Sequence, residues 1–236
     1  VFPEACCIAD HYHIIQELNR RVDRVRIRVQ NRFRKTINTL KPKKNNKTIT
    51  SEELIELEEA SRYYYVLKKF NWLLASTNKK ILDVNVERRF NHRLNRYLNY
   101  SEILAYMLAI DDELEEAFYL RNDVTYFYDH CTYDTAKKQL EKIIIDFRSS
   151  TVAEVSPFAN TLTNWKKEII NSFIIVDDKA NRKMNTAIVE NRNKSIKLLK
   201  HASNGYLNWE RFRNRILYTL NEDTTFYYTS IRKDGK

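Results

Sequence analysis

Apolar residues recur at helical intervals along most of this sequence. Ile14, Leu18, Val22, Val25, Val29, Phe33, Ile37 and Leu40 step by three or four, which predicts an amphipathic helix from His11 to Leu40. Its polar faces carry Arg20, Arg21, Arg24, Arg26, Arg28, Arg32, Arg34 and Lys35, with Asp23 among them. Lys41 to Lys47, containing Pro42, reads as a basic loop. Thr50 or Ser51 can cap the next helix, whose acids lie near its positive end. Tyr63–Leu67 and Asn71–Ala75 mix strand-like composition with a helical continuation, and continuity favours helix.

From Asp83 to Phe173 the pattern predicts helices almost throughout. One is marked by Phe90, Leu94 and Leu98, and another starts at an N-cap on Ser101. A third starts at Thr132 or Asp134, and a fourth carries Phe158, Leu162, Trp165, Ile169, Ile170 and Phe173. These stripes read as core. Asp177 to Asn185 reads as a loop, and periodicity fades after Asn221. The exception to helical spacing is Ala5-Cys6-Cys7-Ile8-Ala9, short and apolar, which predicts a buried strand ended by Asp10. A lone strand cannot satisfy its own backbone, so its partners lie upstream, in another chain, or are weakly marked here.

Composition strengthens the helical reading. Only 2 Gly and 3 Pro occur, too few for the turns of a β-sandwich or a complete doubly wound sheet. A formal net charge of +10 favours a polyanionic partner, although charge alone does not separate DNA, RNA and anionic lipid. No apolar run is long enough to span a bilayer, and no signal-peptide pattern opens the chain. Cys6, Cys7 and Cys131 lack metal-ligand spacing and read as reduced, buried thiols of a cytosolic protein. The start at Val1, in mid-pattern, reads as a fragment of a longer protein.

Candidate chemistry gathers in two places. Between Arg182 and Lys200 a single acid, Glu190, stands among cations, with Ile188, Val189, Ile196 and Leu199 at near-helical spacing. Glu190, Lys194 and Lys197 fall at i, i+4 and i+7 and share one face. This is either a solvated i,i+4 ion pair or a metal-binding carboxylate beside phosphate-holding cations. Gly205 then breaks the helix, and Tyr206 to Arg215 start another. The second place is Asp10, at the end of the expected strand, where both sites and ordinary helix caps occur. His11 and His13 diverge on a helix and cannot chelate one metal together; His13 reads as a packing or hydrogen-bonding residue near the site. His130 and Cys131 lack zinc spacing, and no Gly-rich phosphate loop is present.

The stretches Phe2-Pro3-x-Ala5, Ala9-Asp10-x-Tyr12-His13, Leu18-Asn19 and Asp23 resemble the second-aspartate segment of a bacterial insertion-sequence transposase, of the DDE group called ISL-three. The likeness continues in order through Trp72-Leu73-Leu74, Ala105-Tyr106, Glu116, Phe118 and Thr161-x-x-x-Trp165-x-x-Glu168-Ile169. It closes with Glu190, Asn193, Ile196-Lys197, Lys200, Gly205-Tyr206-x-Asn208 and Phe212-Arg213-x-Arg215-Ile216-Leu217. Asn191 stands where that family usually has Gly, and Lys194-Ser195 where it has Asn-Lys.

The resemblance implies a mainly α chain: a partial RNase-H-like α/β core, its upstream strands missing, with a large all-helical insertion. Residues 1–77 would hold the second-acid strand and basic helix, 78–175 the insertion, and 176–236 the third-acid helix and carboxy-terminal helix. Asp10 would be the second catalytic and metal-binding acid and Glu190 the third, with the first Asp outside this chain. The implied cofactor is Mg²⁺ or Mn²⁺, two ions in the complete site. Two such ions roughly 3.5–4 Å apart suit in-line displacement at phosphorus. Lys194, Lys197, Lys200, Arg20, Arg21, Arg24, Arg213 and Arg215 are the candidate contacts to double-stranded DNA, with His13 and Asn193 near the site. A solvated helix face serves equally for Arg20, Arg21 and Arg24. The expected setting is the bacterial cytoplasm, without a membrane, and a homodimer is left open. The fragment alone should be inactive. The competing reading is a non-catalytic, basic, helical DNA-binding module or a decayed transposase remnant.

Overall fold

Asp10 ends an extended segment and starts the longest helix. Its backbone lies at φ −69°, ψ 124°, and its carboxylate accepts the Tyr12 N–H at 2.8 Å, an N-cap that satisfies one of the helix's orphan donors. The computed structural model describes residues 6–177, 182–184, 186–203 and 205–220. They are mainly helical and fall into two units, Val1–Met184 and Asn185–Lys236, described separately below.

Helix α1, His11–Asn45, buries the expected stripe of Ile14, Leu18, Val22, Val25, Val29 and Leu40. It also runs through the residues expected to form a basic loop, and Pro42 lies inside its last turn. A proline there removes one i→i−4 bond, but the neighbouring carbonyls find donors beyond the helix end. Asn46 N–H donates to the Pro42 carbonyl and Thr48 N–H to that of Lys43, both at 3.0 Å.

The expected buried strand before Asp10 is not formed by its described residues, 6–9. Their extended backbone is satisfied by a helix end instead. Ala9 N–H donates to the Glu168 carbonyl at 3.0 Å, and Asn171 Nδ2 donates to the Cys7 carbonyl at 2.9 Å. Ala9 is buried, but Cys6 and Cys7 are exposed and Cys131 is half-buried; all three are free thiols, so the expectation of buried cysteines fails. Phe2, Pro3 and Ala5 lie outside the described residues.

Thr50 and Glu53 form a reciprocal capping box at the start of α2, Ser51–Lys69, which continues through Tyr63–Leu67 as expected. A short 3-10 turn, Asn71–Ala75, follows. The stretch carrying Phe90, Leu94 and Leu98 is not a helix but an antiparallel hairpin, β1 (Arg89–Asn91) and β2 (Arg96–Leu98). Turn chemistry overrides the apolar spacing there. Asn91 Oδ1 accepts the N–H groups of Arg93 and Leu94, and Asn95 adopts a left-handed φ of 51°. The region expected to be all-helical therefore contains a hairpin.

Helix α3, Tyr100–Leu108, is capped by Asn99 rather than Ser101, in a reciprocal box with Glu102. Helices α4 (Asp112–His130) and α5 (Tyr133–Ser149, started at Thr132) follow. The expected fourth stripe splits at Trp165 into α6 (Phe158–Asn164) and α7 (Lys166–Asn171), and Trp165 is half-exposed rather than core. Strands β3 (Ile175–Asp177) and β4 (Arg182–Lys183) pair antiparallel where a loop was expected. Both sheets among the described residues are two-stranded.

One hydrophobic cluster runs from Ala9 to Phe173, with α1 packed against α2 and α4. Among the described residues the largest fully buried side chain is that of Arg121, 2% exposed. Its guanidinium donates to Asn19 Oδ1 at 2.9 Å, Asn122 Oδ1 at 3.0 Å and the Ala75 carbonyl at 2.8 Å, and burial lowers its pKa.

The second unit contains α8 (Ala187–Ala202) and α9 (Trp209–Leu220), packed on each other. Gly205 supplies the break at φ 93°, a left-handed conformation that suits glycine. Asn208 Oδ1 accepts the Arg211 N–H at 3.0 Å at the start of α9, and Tyr206 stacks on Phe212. The side chains of Arg182, Ile188 and Val189 and the tail beyond Leu220, which figured in the expectations, lie outside the described features.

Candidate active site

Asp10 caps α1, and the residues just before it are bonded to α7 through Ala9 and Cys7. Its side chain is 13% exposed, and its Oδ1 lies 3.7 Å from His11 Nδ1. The His11 ring sits 5.7 Å from that of Tyr128, which stacks on Phe173 with planes 4° apart. The Tyr128 hydroxyl is buried with no hydrogen-bond partner. Burial, and after it the negative charge of Asp10, raises its pKa above the ordinary tyrosine range. Lys183, from β4, donates to the carbonyls of Tyr128 (2.9 Å) and Cys131 (3.1 Å) at the C-terminal end of α4, where a cation complements the helix dipole. Its ammonium also stands 4.4 Å from the centroid of the Phe173 ring.

His13, expected near the site, is exposed, with its ring edge-on to Tyr12. His11, Tyr128 and Lys183 are the neighbours that sequence reasoning missed. His11 adjoins Asp10 in the chain, which was the available signal. The other two approach from about 120 and 170 residues away, and no local pattern announces them.

In the second unit Glu190 lies in the first turn of α8, where the helix dipole favours a carboxylate. It is exposed and accepts from Thr186 Oγ1 at 3.2 Å. Among the described residues it makes no ion pair with Lys194 or Lys197. Asn193, Lys194, Lys197 and Lys200 are exposed on the same helix, as are Arg213 and Arg215 on α9. Asn191 lies inside α8 without a positive φ, so the backbone there makes no demand for glycine. The Ser195 hydroxyl donates back to the Asn191 carbonyl at 3.0 Å.

The three α1 arginines singled out by sequence differ. Arg21 bonds Glu17 and the Glu154 carbonyl and lies 5.4 Å from the Phe158 ring centroid. Arg20 reaches Glu17 at 3.6 Å, and Arg24 is exposed.

The donors at Asp10 and Glu190 are hard carboxylate oxygens, the kind that Mg²⁺ and Mn²⁺ prefer. The orphaned Tyr128 hydroxyl near Asp10 is a further polar atom without a protein partner. Among the described residues no three His, Cys, Asp or Glu side chains gather as a metal cluster. Each acid offers donors of the kind a divalent cation takes, and among the described residues neither belongs to a cluster of three.

Among the described residues no helix is long and apolar enough to cross a membrane. A family model described as a transposase, of the DDE type in the ISL-three group, matches residues 1–216. No curated protein and no solved structure matches the chain.

Proposed function

This chain belongs to the ISL-three family of DDE transposases, and from that premise we propose that Asp10 and Glu190 are two of the carboxylates of a DNA strand-transfer site. The observation that carries the reading is the setting of Asp10. It lies at the junction of an extended segment and a basic helix, mostly shielded from water, beside an unpartnered buried hydroxyl. An ordinary surface cap has no need of that setting. When bound, two divalent cations would activate the attacking oxygen and stabilise the leaving one. The residues of this chain would supply hard oxygen ligands at Asp10 and Glu190. Lys194, Lys197, Lys200, Arg213 and Arg215 would neutralise backbone phosphates without reading sequence.

In this reading residues 78–175 are an insertion within an RNase-H-like core to which Asp10 and Glu190 belong, in the setting of a bacterial cytoplasm. The chemistry requires a third carboxylate, which the described residues do not place beside Asp10. Strand transfer by the 236 residues alone is therefore expected to be absent. The second reading, a non-catalytic helical DNA-binding module, rests on the exposed Lys194, Lys197, Lys200, Arg213 and Arg215 and uses neither acid.

Mn²⁺ separates the two. In the first reading, titrating the chain with Mn²⁺ broadens NMR signals around both Asp10 and Glu190. Glu190→Gln removes the broadening at Asp10 while DNA affinity is retained. In a transposase polypeptide that carries all three acids, Glu190→Gln abolishes cleavage of element ends. Broadening at one acid only, or full activity of the variant, would falsify the assignment.

A further inference from the structure

We propose that a second nucleic-acid site lies between α1, α2 and the β1–β2 hairpin, where a basic groove holds a DNA backbone and an adjoining aromatic pocket takes an unpaired base. The proposal rests on DNA being this protein's substrate, but it uses none of the residues of the acid site.

The groove encloses about 1090 Å³. From α1 it is lined by Arg34, Lys41 and Lys44, the last two presented by the extra turn that carries the helix through Pro42. From α2 come Arg62, Lys68 and Lys69, and from the hairpin Arg93. Glu58 is the acid among the lining residues. All seven cations are exposed, and none makes an ion pair among the described residues. Seven like charges around one concavity repel each other, and a polyanion relieves that repulsion.

Tyr65 marks the junction with a second cleft of about 750 Å³, which shares Tyr65, Lys69 and Arg93 with the groove. Lys69 and Arg93 lie 5.8 and 5.6 Å from the Tyr65 ring centroid. Beyond them the walls are aromatic: Phe70, Phe90 and Tyr100, the last two each 40% exposed. Exposed rings beside phosphate-binding cations are what a splayed-out base stacks on.

The amide oxygens of the pocket's Asn91 and Asn99 are already engaged by backbone N–H groups. Asn99 donates to the Val84 and Val86 carbonyls and accepts the Glu102 N–H, while Asn91 Oδ1 accepts two backbone N–H groups of its own turn. Recognition would come mainly from stacking on the face of the base, which every base offers.

The test is fluorescence anisotropy with the 236-residue chain in EDTA, so that no metal-dependent step contributes. Three ligands are compared: a blunt duplex, the same duplex with a short single-stranded extension, and that extension made abasic. The extended duplex should bind roughly tenfold more tightly than the blunt one, the abasic form should lose the gain, and changing the extension's bases should matter by no more than about twofold. Phe90→Ala should bring the extended duplex to the blunt value. The triple variant Lys41→Ala, Lys44→Ala, Lys68→Ala should weaken all three and lower the salt slope by about 3. Equal affinity for blunt and extended duplexes in the wild type overturns the base pocket, and an unchanged salt slope in the triple variant overturns the groove. If Phe90→Ala fails to fold by circular dichroism, the abasic ligand decides the matter with the wild-type chain. Failure here leaves the metal reading at Asp10 and Glu190 standing, and failure of that reading leaves this result unaffected.

Discussion

From Arg21 to Arg32 most α1 arginines turn onto acids of their own fold, whereas from Arg34 to Lys44 the same helix shows groove cations with no ion pair. Arg28 illustrates the first part. It donates to both Glu154 oxygens, at 2.7 and 3.1 Å, and reaches Glu113 at 2.5 Å. Arg26, 6% exposed, bonds Asp23 and the Leu67 carbonyl, and Arg32 bonds Asp111. Further along, Arg34, Lys41 and Lys44 face a concavity with other unpaired cations. The difference teaches that positive charge on a helix is not one property. Where acids from α4 or the segment around Glu154 come alongside, a cation helps to hold the fold; where none does, it is available to a ligand.

Removing a cation should then cost stability in the first class and not in the second. The largest effect is expected at Arg121, a buried cation of α4 that is likewise tied to its own fold, though by neutral acceptors. Arg121→Ala leaves the Ala75 carbonyl and Asn19 without a donor and opens a cavity, so it should lower unfolding free energy by about 3 kcal/mol. A loss below about 1 kcal/mol in urea titrations would break the comparison.

Arg28→Ala should cost about 1 kcal/mol at pH 7, because the pairs it makes are partly solvated. The Arg28 side-chain hydrogen bond holds the Glu154 carboxyl below the usual glutamate range. A depressed folded pKa contributes stability that is complete above the unfolded value of about 4.3 and is lost as pH falls through the folded one. The gap between wild type and Arg28→Ala should therefore close in acid, and a cost that stays constant from pH 7 to pH 3 would mean packing rather than charge. The smallest effect belongs to the groove: the triple variant at Lys41, Lys44 and Lys68 should stay within about 0.5 kcal/mol of wild type. A larger loss would move those lysines into the structural class.

Much of this architecture was legible from apolar spacing. The α1 stripe, the Thr50 and Thr132 starts and the Gly205 break stand where the pattern put them. Polar turn chemistry defeated it. Asn91 and Asn95 made a hairpin of a stretch with helical spacing, and Asn99 took the cap expected at Ser101. The stretch before Asp10 looked like a strand because it is apolar and extended, yet its hydrogen bonds go to α7. Asp10 and Glu190 were legible as candidates from their surroundings in the chain and from family resemblance. Tyr128 and Lys183 were not, because spatial neighbours so remote in sequence leave no local trace. Nor was the groove, since one chain's pattern does not say which cations will find acids.

The grip of α7 on the residues before Asp10 has a consequence for the order of events during synthesis. The Asp10 segment emerges from the ribosome before its anchors, Glu168 and Asn171, which are made about 160 residues later. Contacts so distant along the chain form late. A nascent or prematurely terminated chain would carry Asp10 without its anchors, so this acid takes its final position only after the helices between have been synthesised.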